Sequence, residues 1–327
     1  MTETWLGAHG KLWYDDKWYR LSWLIWPQAL AMVLFLLFWA TPSQRGSQWA
    51  KPVDNHQRAL ELQKLRDAAI NNRASMDALE RAASGGEMNA QFYFATLYAP
   101  DLKLSKIVQP DVVKAVDWYT KAANQGEVVA LGNLALIYST GAYARVDYAR
   151  ACYYALKTTS DSPAASLGVK GDCYARGLGG TRTDMTQAAN AYEAAYNKGH
   201  VRSGAKLGYF FENGLGGRAR SNETALKYYR AAADKNDALG LHNLGAAYGG
   251  GLLGLPRDGA EAARLIMLAL EAKYDVTLQS LTSRPENWTA DFWQNLQRRM
   301  AERGYYSGIA DGRPNAATLD AVRRFGS

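Results

Sequence analysis

Few residues in this chain are spaced for chemistry. The four histidines, His9, His56, His200 and His242, have no partner at metal-ligand spacing. Glycine-rich loops occur at Gly177-Leu178-Gly179-Gly180, Gly214-Leu215-Gly216-Gly217 and Gly249-Gly250-Gly251. None is followed by the Lys-Ser or Lys-Thr pair of a phosphate cradle, and helix termination explains them better. Asn222-Glu223-Thr224 and Asn287-Trp288-Thr289 fit a glycosylation triplet that often arises by chance. Cys152 and Cys173 are too far apart for a thioredoxin-type redox pair. No nucleophile, base and orienting group can be assembled from the remainder. The chain is therefore expected not to be an enzyme and to need no cofactor or metal.

The elements that carry these residues are set by an internal repeat. One kind of segment ends on an aromatic column at Tyr98, Tyr138, Tyr174, Phe211 and Tyr248, with a small residue three places earlier at Ala95, Ala135, Gly171, Gly208 and Gly245. A second kind alternates with it, its column reading Tyr119, Tyr153, Tyr192, Tyr229 and Ile266, spaced 34, 39, 37 and 37. Small and apolar residues recur at helical spacing in both, which predicts pairs of short amphipathic helices. A small residue opposite a ring lets two helices approach while the ring fills the gap. One pair cannot bury both of its faces, so successive pairs must stack. Cys152 lies near the start of one second-type helix and Cys173 near the end of the next first-type helix. Antiparallel packing would set them side by side, as a candidate disulfide in an oxidising compartment or as two small buried residues.

The stretches Ala238-Leu239-Gly240-Leu241-His242-Asn243-Leu244-Gly245-Ala246-Ala247-Tyr248 and Ala225-Leu226-Lys227-Tyr228-Tyr229-Arg230-Ala231-Ala232-Ala233 resemble the Sel-one-like repeat family, short-helix relatives of the tetratricopeptide repeat. The resemblance runs from about Ser75 to Tyr274 over five repeats. It implies an α/α superhelical array, mostly used as an adaptor, and leaves the client open. Asp101 to Pro110 lengthens the first loop, and Arg264-Leu265-Ile266-Met267 replaces the aromatic pair in the last repeat, as in a capping repeat.

Leu21 to Ala40 contains no charged residue. At about 1.5 Å per residue it is long enough to span a hydrocarbon core of about 30 Å. Trp18, Tyr19, Trp23 and Trp39 stand near its edges, where amphipathic rings favour the headgroup layer. A retained single-pass anchor is expected, with an aromatic-rich tail over 1–20. A cleaved signal peptide is the competing reading; against it stand its usually shorter apolar core and the lack of a small residue three places before a cut at Phe38-Trp39-Ala40. Lys11, Lys17 and Arg20 on one side balance Arg45, Lys51 and Arg58 on the other, so charge does not set the orientation. The formal net charge of +7 is spread thinly, which argues against a nucleic-acid partner.

After Pro285 the repeat gives way to a pattern in which Leu296, Gln297, Met300, Gly304, Tyr305, Tyr306, Gly308, Asp311, Gly312, Thr318, Ala321, Val322 and Phe325 match the wall-binding fold called peptidoglycan-binding domain 1. The resemblance implies a small helical module, shortened here. It makes Tyr305, Tyr306, Asp311 and Arg313 the candidate wall contacts; packing on the last repeat as a cap is the other reading. The sequence thus predicts an all-α chain. It comprises a tail (1–20), a transmembrane helix (21–40), a linker and helical stalk (41–74), a repeat solenoid (75–283) and the terminal module (284–327). The expected function is a scaffold of the bacterial inner membrane, its repeats periplasmic. The resemblance implies that other envelope proteins bind in the groove lined by first-type helices, while residues 21–40 meet the membrane and the terminal module meets peptidoglycan. Such scaffolds would serve secretion, polysaccharide export, or wall synthesis and division. The alternative is a cytoplasm-facing adaptor tethered to the membrane.

Overall fold

The computed structural model describes residues 55–100, 102–142 and 145–326. The anchor expected over 21–40 and the tail over 1–20 lie outside these residues. Among the described residues no helix is long and apolar enough to cross a membrane, and there is no strand. The chain divides into two compact units, Met1–Glu61 and Leu62–Ser327; of the first, only the opening turns of one helix are described.

Among the described residues fifteen α-helices follow one another: α1 (Asn55–Ala69), α2 (Arg73–Ser84), α3 (Met88–Tyr98), α4 (Val112–Asn124), α5 (Val128–Thr140), α6 (Tyr148–Leu156), α7 (Ala164–Arg176), α8 (Met185–Asn197), α9 (Val201–Asn213), α10 (Asn222–Ala233), α11 (Ala238–Gly250), α12 (Gly259–Glu271), α13 (Asp275–Ser283), α14 (Ala290–Glu302) and α15 (Ala316–Gly326). The odd-numbered helices α3 to α11 are the first-type helices, here A, and α4 to α12 are their B partners. At this length isolated helices are marginal in water, so their stability comes from packing.

Each B helix starts in the same way. Asp111, Asp147, Asp184, Ser221 and Asp258 are its N-caps, each accepting from the backbone N–H three residues on, worth about 1 kcal/mol apiece. The backbone N–H of each cap donates to the carbonyl of the preceding A-helix ring column: Asp111 to Tyr98, Asp147 to Tyr138, Asp184 to Tyr174, Ser221 to Phe211 and Asp258 to Tyr248, at 2.8–3.0 Å. One side chain and one main-chain bond thus fix every A-to-B turn.

The caps correct the register of the B column. Four residues past each cap lies an alanine at 0% exposure: Ala115, Ala151, Ala188, Ala225 and Ala262. Eight past it lie Tyr119, Ala155, Tyr192, Tyr229 and Ile266, all buried. The inward residue of the second repeat is therefore Ala155. Tyr153, expected there, is 52% exposed and its ring receives the Lys157 ammonium on the solvent side. The packing expected of the small column does hold. A Cβ on Gly171 would lie 2.4 Å from the Tyr192 ring, on Gly208 2.8 Å from Tyr229, and on Gly245 3.0 Å from Ile266.

Two of the expected segments share cores with the array. From Leu62 onward the stalk packs on it, with Leu62 and Ala69 buried in the core that holds Met76, Leu79 and Phe94. The terminal module packs on the last repeat. Phe292, Trp293, Leu296, Met300, Val322 and Phe325 share one core with Ala262, Ile266, Met267 and Leu270 of α12. The Gly259 N–H donates to the Asp291 carboxylate at 3.0 Å, and Arg303 pairs with Glu271. The apolar side of the last repeat is covered in this way.

Candidate functional site

Neighbouring A helices touch along the array, α5 with α7 and α9 with α11, and one face of each stays open as a groove. Residues three or four apart line it: Asn133, Leu136 and Thr140 on α5; Ala165, Val169, Asp172 and Arg176 on α7; Arg202, Lys206 and Tyr209 on α9; Leu239 and Asn243 on α11. Three cavities of about 190, 260 and 440 Å³ follow one another along it. The first two share Leu136 and Thr140, and the second and third share Asp172, Arg176 and Lys206. Tyr209 and Met185 stand in the largest cavity at 51% and 39% exposure.

A polar cluster marks the junction of the two larger cavities. Asp172 accepts from the Tyr192 hydroxyl at 2.7 Å and pairs with Lys206. Burial and the Asp172 charge push the Tyr192 pKa up, so its hydroxyl stays a donor. Arg202 reaches Asp237 at 3.1 Å. Burial, then the Lys206 and Arg202 charges, push the His200 pKa down, so this imidazole adds no charge at neutral pH. In the next repeat Tyr229 donates to Glu212 at 2.6 Å.

The contacts that most resemble catalytic pairs are His200 Nδ1 with Ser203 Oγ at 2.8 Å and His242 Nδ1 with Thr277 Oγ1 at 3.0 Å. Ser203 and Thr277 are both at 0% exposure, so no substrate carbon can reach either oxygen. These are contacts that satisfy buried groups. Among the described residues no group of three His, Cys, Asp or Glu could hold a metal ion.

Cys152 on α6 and Cys173 on α7 are joined as a disulfide, their Cα atoms 5.7 Å apart. Both are buried, at 1% and 0% exposure, in the lining of the middle cavity. The same relation of B helix to next A helix holds for Val116 and Ile137, Ala189 and Phe210, and Leu226 and Ala247. A covalent brace stands where the other repeats place apolar side chains.

In the terminal module the four candidate wall contacts do not share one face. Tyr306 is 6% exposed and donates its hydroxyl to the Ile309 carbonyl at 3.0 Å. Tyr305 is half-buried, its ring edge-on to Phe325. Asp311 and Arg313 are exposed, and the Asp311 pKa is lowered chiefly by the Arg313 backbone N–H it accepts. Gln297, fully buried, organises them: its amide donates to the Arg313 carbonyl and Thr318 hydroxyl at 2.9 Å, and its carbonyl accepts from the Gly312 N–H at 2.9 Å. The glutamine of the motif therefore shapes the loop.

The Sel1 repeat signature matches residues 98–127, 128–160, 164–200, 205–237 and 238–272, just over half of the chain. The chain belongs to the Sel1-repeat family. It is similar to a Sel1 repeat protein of Oxalobacter formigenes, at 25% identity and a TM-score of 0.53, over 71% of this chain and 88% of that one. It shares its fold with a protective antigen of uropathogenic Escherichia coli strains that displays an SLR fold, at 24% identity and a TM-score of 0.50. That likeness covers 77% of this chain and 56% of the antigen. No curated protein matches the chain. The A-helix groove is thus the open face of a Sel1-repeat array. The sequence offered no residues for it, since its equivalent positions, Asn133, Val169, Lys206 and Asn243, mix two amides with an aliphatic and a cationic side chain.

Proposed function

We propose that this Sel1-repeat protein is a scaffold of the bacterial cell envelope that holds an extended segment of a partner protein along its A-helix groove. The observation that carries the reading is the groove itself. It runs over four successive A helices, exposes Tyr209 and Met185, and contains no group set for bond-making. Open apolar positions beside fixed polar ones suit recognition of an extended chain. In this reading residues 21–40 hold the protein in the inner membrane and the repeats face the periplasm. The Cys152–Cys173 pairing supports that side, because disulfides persist in oxidising compartments. The terminal module caps the last repeat, and Asp311 and Arg313 are its candidate contacts with peptidoglycan. A role in secretion, polysaccharide export, or wall synthesis and division is part of the proposal.

The test is topology. Alkaline phosphatase and green fluorescent protein are fused separately after Ser327 of the full chain. Periplasmic repeats give active phosphatase, a dark fluorescent fusion, and cysteines that alkylate in denaturant only after reduction. A bright fluorescent fusion with cysteines that alkylate in denaturant without reduction overturns the placement and leaves an adaptor on the cytoplasmic side.

A further inference from the structure

The two larger cavities of the groove meet at Asp172, Arg176 and Lys206. Their combined lining carries three cations, Arg176, Arg202 and Lys206, and one carboxylate, Asp172. Asp172 already has two partners, the Tyr192 hydroxyl and Lys206, and Arg202 is engaged by Asp237 from α11's N-terminal end. Arg176 is exposed at the last turn of α7 and forms no ion pair among the described residues. A positive excess is therefore fixed at the junction, with its least committed member pointing to solvent. On one side the larger cavity offers Met185, Tyr209, Leu215 and Leu239. On the other, the middle cavity offers Leu136, Val169 and Leu178.

Resting on the proposed groove function, we infer that the groove selects a partner segment in which an internal Asp or Glu lies between two apolar side chains. The carboxylate sits over Arg176 with Lys206 and Arg202 beside it, and the apolar neighbours enter the cavities on either side. An internal residue is required because a chain with cavities before and after the junction must cross it. A terminal carboxylate at this point would leave one cavity unfilled. Arg176 presents a planar fork suited to bidentate carboxylate contact, and the half-dry walls on both sides strengthen the pairing relative to open water.

The experiment is a selection of displayed random twelve-residue peptides on the full-length, disulfide-bonded protein in mild detergent. The enriched peptides are then titrated as free fluorescent probes. The expected peptides carry an internal Asp or Glu flanked by aromatic or aliphatic residues. Changing that acid to Asn or Gln weakens binding about tenfold, as does Arg176→Glu, and Tyr209→Asp abolishes it. A tenfold loss corresponds to about 1.4 kcal/mol. Peptides that depend on Tyr209 but show no acidic preference and are indifferent to Arg176→Glu overturn this inference and leave the groove reading standing. A selection that enriches nothing, or only peptides indifferent to Tyr209→Asp, rejects the groove as a peptide site and the inference with it.

Discussion

Gly171→Ala puts the packing logic of the repeat to a test in which two physical effects have opposite signs. Gly171 lies inside α7, where replacing glycine by alanine stabilises an unconstrained helix by about 0.8–1 kcal/mol. Here the new methyl would lie 2.4 Å from Cδ1 and Cε1 of Tyr192. That ring cannot swing away cheaply: it is 3% exposed, edge-on to Phe210, and held by its hydroxyl bond to Asp172. Forcing a methylene-sized group into such a contact costs about 1–3 kcal/mol, and more when a hydrogen bond breaks with it. The expected net effect is a loss of about 1–2 kcal/mol, read by urea unfolding followed by circular dichroism. Removing the ring should change the sign: in a Tyr192→Leu background, Gly171→Ala should be neutral or stabilising. A Gly171→Ala protein more stable than the parent, or a loss unchanged in the Tyr192→Leu background, would refute the claim that ring and small residue set the helix spacing.

Three further outcomes follow from the described geometry. Burial pushes the His242 pKa down to about 4 against about 6.5 in an unfolded chain. The unfolded chain therefore takes up the proton first, so this contribution is intact above about pH 6.5, declines toward about pH 4 and is then exhausted. Urea midpoints measured over that range should fall in the parent and fall less in His242→Gln. Replacing both Cys152 and Cys173 by alanine opens a loop closed over 21 residues, which the chain-entropy relation puts at about 3 kcal/mol; unchanged stability in urea would contradict the brace. Gly216→Ala should cost about 3 kcal/mol, because its left-handed backbone (φ 60°) comes with a Cβ position 2.3 Å from the Met185 carbonyl oxygen. Gly217→Ala, with φ 74° and nothing within 4 Å, should cost only about 1 kcal/mol.

The array was legible because small and aromatic residues recur at a nearly constant period, and a period must be met by stacked units. The misplacement of Tyr153 shows where that signal thins. Tyr153 and Tyr154 are adjacent, and the inward position is the unobtrusive Ala155, so ring-to-ring spacing chose the wrong residue. The caps Asp111, Asp147, Asp184, Ser221 and Asp258 keep a stricter period than the rings. Polar caps are held by backbone geometry, whereas a core position accepts a ring, an Ile or an Ala. The groove was expected on the first-type helices, but the residues lining it were not legible, because solvent-facing positions carry no burial constraint and vary from repeat to repeat. In the terminal module the motif positions were visible, but Gln297 and Tyr306 turned out to serve the interior. Short motifs record that a residue matters without saying whether it faces in or out.

Whether partners bind in the A-helix groove can be read by site-specific photocrosslinking in living cells. A photoreactive phenylalanine is placed at Tyr209, in the groove, or at Tyr153, on the B-helix surface; the two are equally open at 51% and 52% exposure. Discrete crosslinked adducts are expected from position 209 and none from position 153. Adducts of equal yield from both, or from position 153 alone, would contradict it.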